Sequence, residues 1–174
     1  MTQEMETTKK ALETAIQMEI DGKEFYTRAA NASGNPTGKK LLKRLAYEED
    51  IHRQVFENIF NTLGERKGWP TADIKHTSQV HTILADAAKE IGKDIKPAQE
   101  EIDAVRTAMD MENKTYDYYR AQAKKASYPT EKEFYEKLVV QEEEHHKALL
   151  SYYELLNDPE AWFVQMEHPS LDGG

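Results

Sequence analysis

Apolar residues recur three and four positions apart along most of this 174-residue chain, the spacing of one face of an α-helix. The pattern predicts a first long helix over 7–32, free of Pro and ended by Ser33-Gly34-Asn35-Pro36. A second runs over 37–63 and stops at Gly64 and Gly68-Trp69-Pro70. A third spans 97–127, with Pro97 in its first turn, and a fourth spans 130–157 with Thr130 as its cap, before Asp158-Pro159. Between the second and third lies a connection over 64–97 with room for a short helix near 78–91. The tail over 158–174 reads as irregular. With only 8 Gly and 6 Pro, the chain lacks the turns of an all-β sandwich. The expected fold is all-α, one domain over 1–174: hairpin 7–63, crossover 64–97, hairpin 98–157 and tail.

The two hairpins repeat one another. Sliding the chain by 93 residues lays Ala11–Leu63 on Ala104–Leu156 without a gap, and 14 of 53 positions coincide. The matches include Met18-Glu19 on Met111-Glu112, Tyr26 on Tyr119, Pro36-Thr37 on Pro129-Thr130, Glu49 on Glu142 and His52 on His145. Alignment of heptads alone would match apolar positions and leave the Glu and His matches without a cause. A repeated hairpin with a long connection describes a four-helix bundle with a crossover between its second and third helices.

Each helical seam carries charge where it should be apolar. The second helix lines up Leu42, Leu45, Glu49, His52, Phe56, Ile59 and Leu63, and the fourth repeats this with Tyr135, Leu138, Glu142, His145, Leu149, Tyr152 and Leu156. The first offers Leu12, Ala15, Glu19, Gly22 and Tyr26, and the third Val105, Ala108, Glu112, Thr115 and Tyr119. Four buried carboxylates are too costly unpaired, since each buried charge costs several kcal/mol after relaxation. Two divalent cations balance four carboxylates and leave two neutral imidazoles as further ligands. One Glu from each of two helices, with Glu-x-x-His from each of the others, is the ligand set of dinuclear carboxylate bundles. Residues three apart share a helical face, so Glu49 with His52, and Glu142 with His145, can reach one ion. Glu49 and Glu142 are then expected to bridge, with Glu19 and Glu112 terminal. Oxygen and imidazole donors suit two iron ions, or manganese, or a mixed pair, and zinc stays open on ligand type. The run QEEEHH offers a rival register, Glu143 with His146, but the repeat and the seam both select Glu142 with His145.

Composition removes other classes of function. Lys and Arg number 23 against 32 Asp and Glu, a net charge of −9, which repels phosphate backbones and anionic lipids, so neither nucleic acid nor a membrane surface is expected as partner. No apolar run is long enough to span a bilayer, and MTQEMETTKK holds no signal core, so the cytoplasm is the expected location. The absence of Cys removes disulfides, iron–sulfur clusters and thiol nucleophiles.

The order Glu19, Glu49-x-x-His52, Glu112, Glu142-x-x-His145 resembles the ferritin-like superfamily, and within it the rubrerythrin group. LAYEEDIHRQVFENI and LVVQEEEHHKALL are similar to that group's second- and fourth-helix signatures, and DPEAWF…LDGG to its stand-alone tails. The resemblance implies a non-haem di-iron centre reacting with hydrogen peroxide or dioxygen, with Glu49 and Glu142 at the heart of the chemistry. It implies that Tyr26 and Tyr119 hydrogen-bond a bridging carboxylate. The chain departs from the group twice. It has no four-Cys rubredoxin domain, so electrons are expected from a separate donor protein. Met109 and Thr115 stand three residues either side of Glu112, so the group's extra Glu ligand is missing, which brings the set equally close to ferroxidase centres. A homodimer is expected, and the crossover is long enough for hairpins to be exchanged between copies. Small residues at Gly22 and Thr115 suggest either substrate space or close packing. Met18 and Met111 read as core filler, Trp162 and Phe163 as a cover for the bundle end or an oligomer contact, and His76, His81 and His168 as exposed.

Overall fold

The computed structural model describes residues 3–63, 68–72, 74, 80–90 and 96–167. Four long helices form the frame: α1 (Gln3–Ala32), α2 (Pro36–Leu63), α4 (Gln99–Lys125) and α5 (Pro129–Asn157). A short α3 (Val80–Glu90) lies in the crossover, and α6 (Pro159–Glu167) ends the described chain. The architecture is an all-α ferritin-like bundle, with α1 paired to α2, α4 paired to α5, and α1 also meeting α4.

Local chemistry sets the helix ends. Asn35 caps α2, its Oδ1 accepting the N–H of Thr37 at 2.9 Å, with Pro36 as the first helical residue. At the equivalent turn Tyr128 precedes Pro129 and offers no capping side chain; Glu131 instead reaches back to accept the N–H of Ser127 at 3.0 Å. Thr130, expected as the cap, therefore lies inside the helix. Pro97 lies outside α4, because Ala98 keeps extended backbone at φ −71°, ψ 144°.

The tail expected to be irregular instead folds into α6 as far as Glu167. Asp158 Oδ1 accepts the N–H of Ala161 at 3.0 Å, and Pro159 opens the helix. Trp162 and Phe163 are buried with α3 residues Val80, Ile83 and Leu84, which covers one end of the bundle. The indole of Trp162 donates to Ser151 Oγ at 2.9 Å. His81 is exposed, whereas His76 and His168 lie outside the described residues. Met18 and Met111 are half-buried rather than core.

The core has two apolar halves. One gathers Tyr26, Leu41, Leu42, Leu45, Val105, Leu149 and Tyr152 with α3 and α6; the other gathers Leu12, Phe56, Ile59, Trp69, Tyr119, Phe134, Tyr135 and Leu138. Each long helix passes from one half to the other. The residues at the crossing points are Glu19, Glu49, His52, Glu112, Glu142 and His145, all at most 4 % exposed. Burial of the flanking apolar side chains, worth roughly 1.5–3 kcal/mol for each large one, carries this charged layer into the interior.

Candidate metal centre

The six side chains converge from four helices on one point. Donor atoms of Glu19, Glu49, His52 and Glu142 lie within 4.8 Å of one another, as do those of Glu49, Glu112, Glu142 and His145. Glu49 and Glu142 belong to both groups. His52 Nδ1 lies 3.4 Å from Glu19 Oε2 and 3.4 Å from Glu142 Oε1. His145 Nδ1 lies 3.3 Å from Glu49 Oε1 and 3.6 Å from Glu112 Oε2. The two imidazole rings are nearly parallel, 18° apart, with centroids 5.8 Å from each other.

The outer edge of each ring fixes its tautomer. His52 Nε2 meets Gln141 Oε1 at 2.7 Å, and His145 Nε2 meets Glu48 Oε2 at 2.8 Å. Both partners are acceptors, so both Nε2 atoms carry the proton and donate it. In a neutral ring the Nδ1 lone pair then faces the centre, the arrangement a metal ligand requires.

Whether a cation fits is answered by the unsatisfied atoms. Glu19 Oε2, Glu49 Oε1, Glu112 Oε2, both Glu142 oxygens and the Nδ1 of His52 and His145 are buried without a hydrogen-bond partner. Buried polar atoms are ordinarily hydrogen-bonded, so this many orphans facing one point marks a place built for a positive charge. The donor set is oxygen and imidazole throughout. The buried Glu/His cluster fits a metal site.

The electrostatics agree. Burial pushes the carboxyl of Glu49 well above the ordinary glutamate range, helped by the charges of Glu19 and Glu142. Burial does the same to Glu142, with Glu112 adding to it. Burial disfavours a charged imidazole at His52 and His145, but the carboxylates outweigh it: Glu19 and Glu142 around His52, Glu112 above all around His145, hold both rings well above the usual histidine value. Glu112 moves the other way: burial opposes its charge, but His145 prevails and lowers it. The cluster therefore binds protons avidly, and a cation entering must displace them.

The tyrosines act across the repeat. Tyr26 donates its hydroxyl proton to Glu112 Oε1, and Tyr119 donates to Glu19 Oε1. The expected partner is a bridging carboxylate, Glu49 or Glu142; each tyrosine instead holds the glutamate of the matching helix in the other hairpin. The two phenols are buried, and that burial, with the nearby carboxylates, keeps them protonated far above the usual tyrosine value. At Gly22 a β-carbon would stand 2.9 Å from Glu49 Oε2, so this small residue serves close packing against a carboxylate. Glu143 is exposed and pairs with Lys147 at 2.8 Å, while His146 is half-buried on the outer side.

Two residues escaped the sequence reading, Glu48 and Gln141. Both are buried, at 3 % and 5 % exposure. Glu48 also accepts from Arg44 Nε at 2.6 Å, and although burial opposes its charge, His145 and Arg44 hold its carboxyl down to about 2. They lie off the seam, one residue before Glu49 and Glu142; the signal available was that 48 and 141 are themselves 93 apart.

No curated protein and no solved structure matches the chain. No described helix is long and apolar enough to cross a membrane. The Rubrerythrin family model matches residues 10–153, a span that takes in all six converging side chains and both tyrosines. On that match over most of its length, the chain belongs to the rubrerythrin family.

Proposed function

We propose that the protein is a non-haem di-iron oxidoreductase that reduces hydrogen peroxide, or reacts with dioxygen. The observation that carries this reading is the pair of donor groups sharing Glu49 and Glu142. In it, Glu19 and His52 would hold one ion, Glu112 and His145 would hold the other, and Glu49 and Glu142, common to both groups, would serve both. Two ferrous ions bound there would supply two electrons and Lewis acidity. Each peroxide takes up two electrons and two protons, its O–O bond breaks, and two waters leave. The chain's own part is to hold the ligands and to keep bulk water out with two apolar half-cores. Tyr26 and Tyr119 hold protons against Glu112 and Glu19, which steadies those carboxylates in one orientation. Electrons arrive from a separate donor protein, since a chain without Cys carries no iron–sulfur relay. We further propose a cytoplasmic homodimer.

One observation favours a second reading, ferroxidase chemistry in iron handling. The residues a turn either side of Glu112 are Met109 and Thr115, neither of which supplies a further carboxylate. The test is metal analysis of protein purified without added metal, followed by stopped-flow oxidation of the reduced protein. Two irons per chain and faster oxidation by peroxide than by dioxygen supports the first reading. Faster reaction with dioxygen supports the second. Bound metal with no reaction toward either oxidant refutes both and leaves a metal-stabilised bundle.

A further inference from the structure

The repeat makes the candidate centre two-fold symmetric in its ligands, with Glu19 matched by Glu112, Glu49 by Glu142, and His52 by His145. Four described side-chain hydrogen bonds reach these six residues from outside the cluster. Two of them are matched, Tyr26 to Glu112 and Tyr119 to Glu19. The other two are not. His145 donates to a carboxylate, Glu48, at 2.8 Å, whereas His52 donates to an amide, Gln141, at 2.7 Å. The geometry is the same and the acceptors occupy the same place in the repeat, but one is an anion and the other is neutral.

That difference has a chemical direction. A carboxylate accepting the Nε2 proton draws it further from the ring and leaves Nδ1 the stronger donor; an amide oxygen does so less. Glu48 is itself fixed by Arg44 at 2.6 Å, so its carboxylate cannot turn away from His145 without giving up a second bond. We infer that Glu48 is a positioning residue that makes the two metal positions unequal: the position of Glu112 and His145 takes a divalent cation first and more tightly, and that of Glu19 and His52 second. The inference rests on the dinuclear reading above. It assigns the two halves different duties, a resident ion on the Glu48 side and a more exchangeable one on the Gln141 side.

The test is a titration of the full-length apo chain with cobalt(II), followed by calorimetry and by the visible absorption of the bound ion. His52→Ala isolates the Glu48-side position, and His145→Ala isolates the other. The His52→Ala protein should bind its remaining ion about tenfold more tightly than the His145→Ala protein, the range by which supporting hydrogen bonds tune ligand affinity. Adding Glu48→Gln should erase that advantage in the His52→Ala background and change nothing in the His145→Ala background. Gln141→Glu should tighten the weaker position, a gain that a merely structural role for residue 141 does not supply. Equal affinities in the two single variants, or a Glu48→Gln effect of the same size in both backgrounds, overturns the inference while leaving the dinuclear reading standing. A wild-type chain that binds fewer than two cobalt ions overturns both.

Discussion

Replacing Gly22 by Ala sets two effects against each other that the structure lets one separate. Gly22 lies in the interior of α1, where Ala is more favourable by about 0.5–1 kcal/mol because its backbone loses less freedom on folding. For a protein of this size that corresponds to a rise in melting temperature of about 1–4 °C. The added methyl would stand 2.9 Å from Glu49 Oε2, where ordinary contact begins at 3.4 Å, so the carboxylate must retreat by 3.4 − 2.9 = 0.5 Å. Without a metal, Glu49 can make that movement by a small rotation at little cost. As a bridging ligand it cannot, since metal–ligand distances tolerate only about 0.2 Å. Gly22→Ala should therefore raise the melting temperature in the presence of a chelator and weaken metal binding by roughly 10- to 100-fold, the loss typical of a displaced ligand support. Thermal melts with chelator and calorimetric titration with ferrous or cobalt ions read the two effects independently. A variant that binds metal as tightly as the wild type, or that melts lower in chelator, refutes the argument that Gly22 exists to seat Glu49.

Three further outcomes are expected. Glu49→Ala and Glu142→Ala should each lose most of the bound metal, whereas Glu143→Ala, which removes only an exposed pair with Lys147, should leave it unchanged within error; elemental analysis after dialysis decides. In the metal-free protein the raised carboxyls of Glu49 and Glu142 and the raised rings of His52 and His145 contribute stability at low pH. That stability is lost as pH climbs above about 4.3 for the carboxyls and about 6.5 for the histidines, while metal affinity climbs, so the melting gap between metal-loaded and chelated protein should widen from pH 5 to 7; a gap that is constant or closes contradicts a buried cation. Trp162→Ala should cost about 3–5 kcal/mol in a denaturant melt, because the indole is 2 % exposed and seats α6 against α3; a cost under 1 kcal/mol would show that α6 adds nothing to the core.

The long helices were legible because each keeps a regular three- and four-residue seam and ends at Gly, Pro or both. The charged layer was legible because Glu and His stand at seam positions where burial needs a reason. The helix α6 was not, although Asp158-Pro159-Glu160 is a capping residue, a first-turn proline and an acidic first turn in order. A proline read only as the end of α5 concealed that it also begins the next element. Glu48 and Gln141 were missed for a different reason. A residue one position from a seam points about 100° away from it, and only the neighbouring helix, invisible in a single sequence, brings His145 and His52 to meet them. The tyrosine partners were misjudged likewise: in place of Glu49 or Glu142, the hydroxyl of Tyr26 reaches Glu112 and that of Tyr119 reaches Glu19, each in the other hairpin.

That crossing has a consequence for how the chain is made. The bonded pairs Tyr26–Glu112 and Tyr119–Glu19 are separated by 86 and 100 residues, whereas Lys23 and Asp50, bonded within the first hairpin, are 27 apart. Such local contacts close quickly, so the α1–α2 hairpin can form while the rest is still being synthesised. Until α4 emerges, Tyr26 lacks its carboxylate and Glu19 lacks its phenol. The half-bundle then presents to water a seam interrupted by Glu19, Glu49 and His52, charged groups that resist the sticky self-association of an all-apolar face. The polar layer thus guards the nascent half against the wrong neighbour, and it is withdrawn from solvent only when the second hairpin, carrying the matching tyrosine and carboxylate, docks upon it.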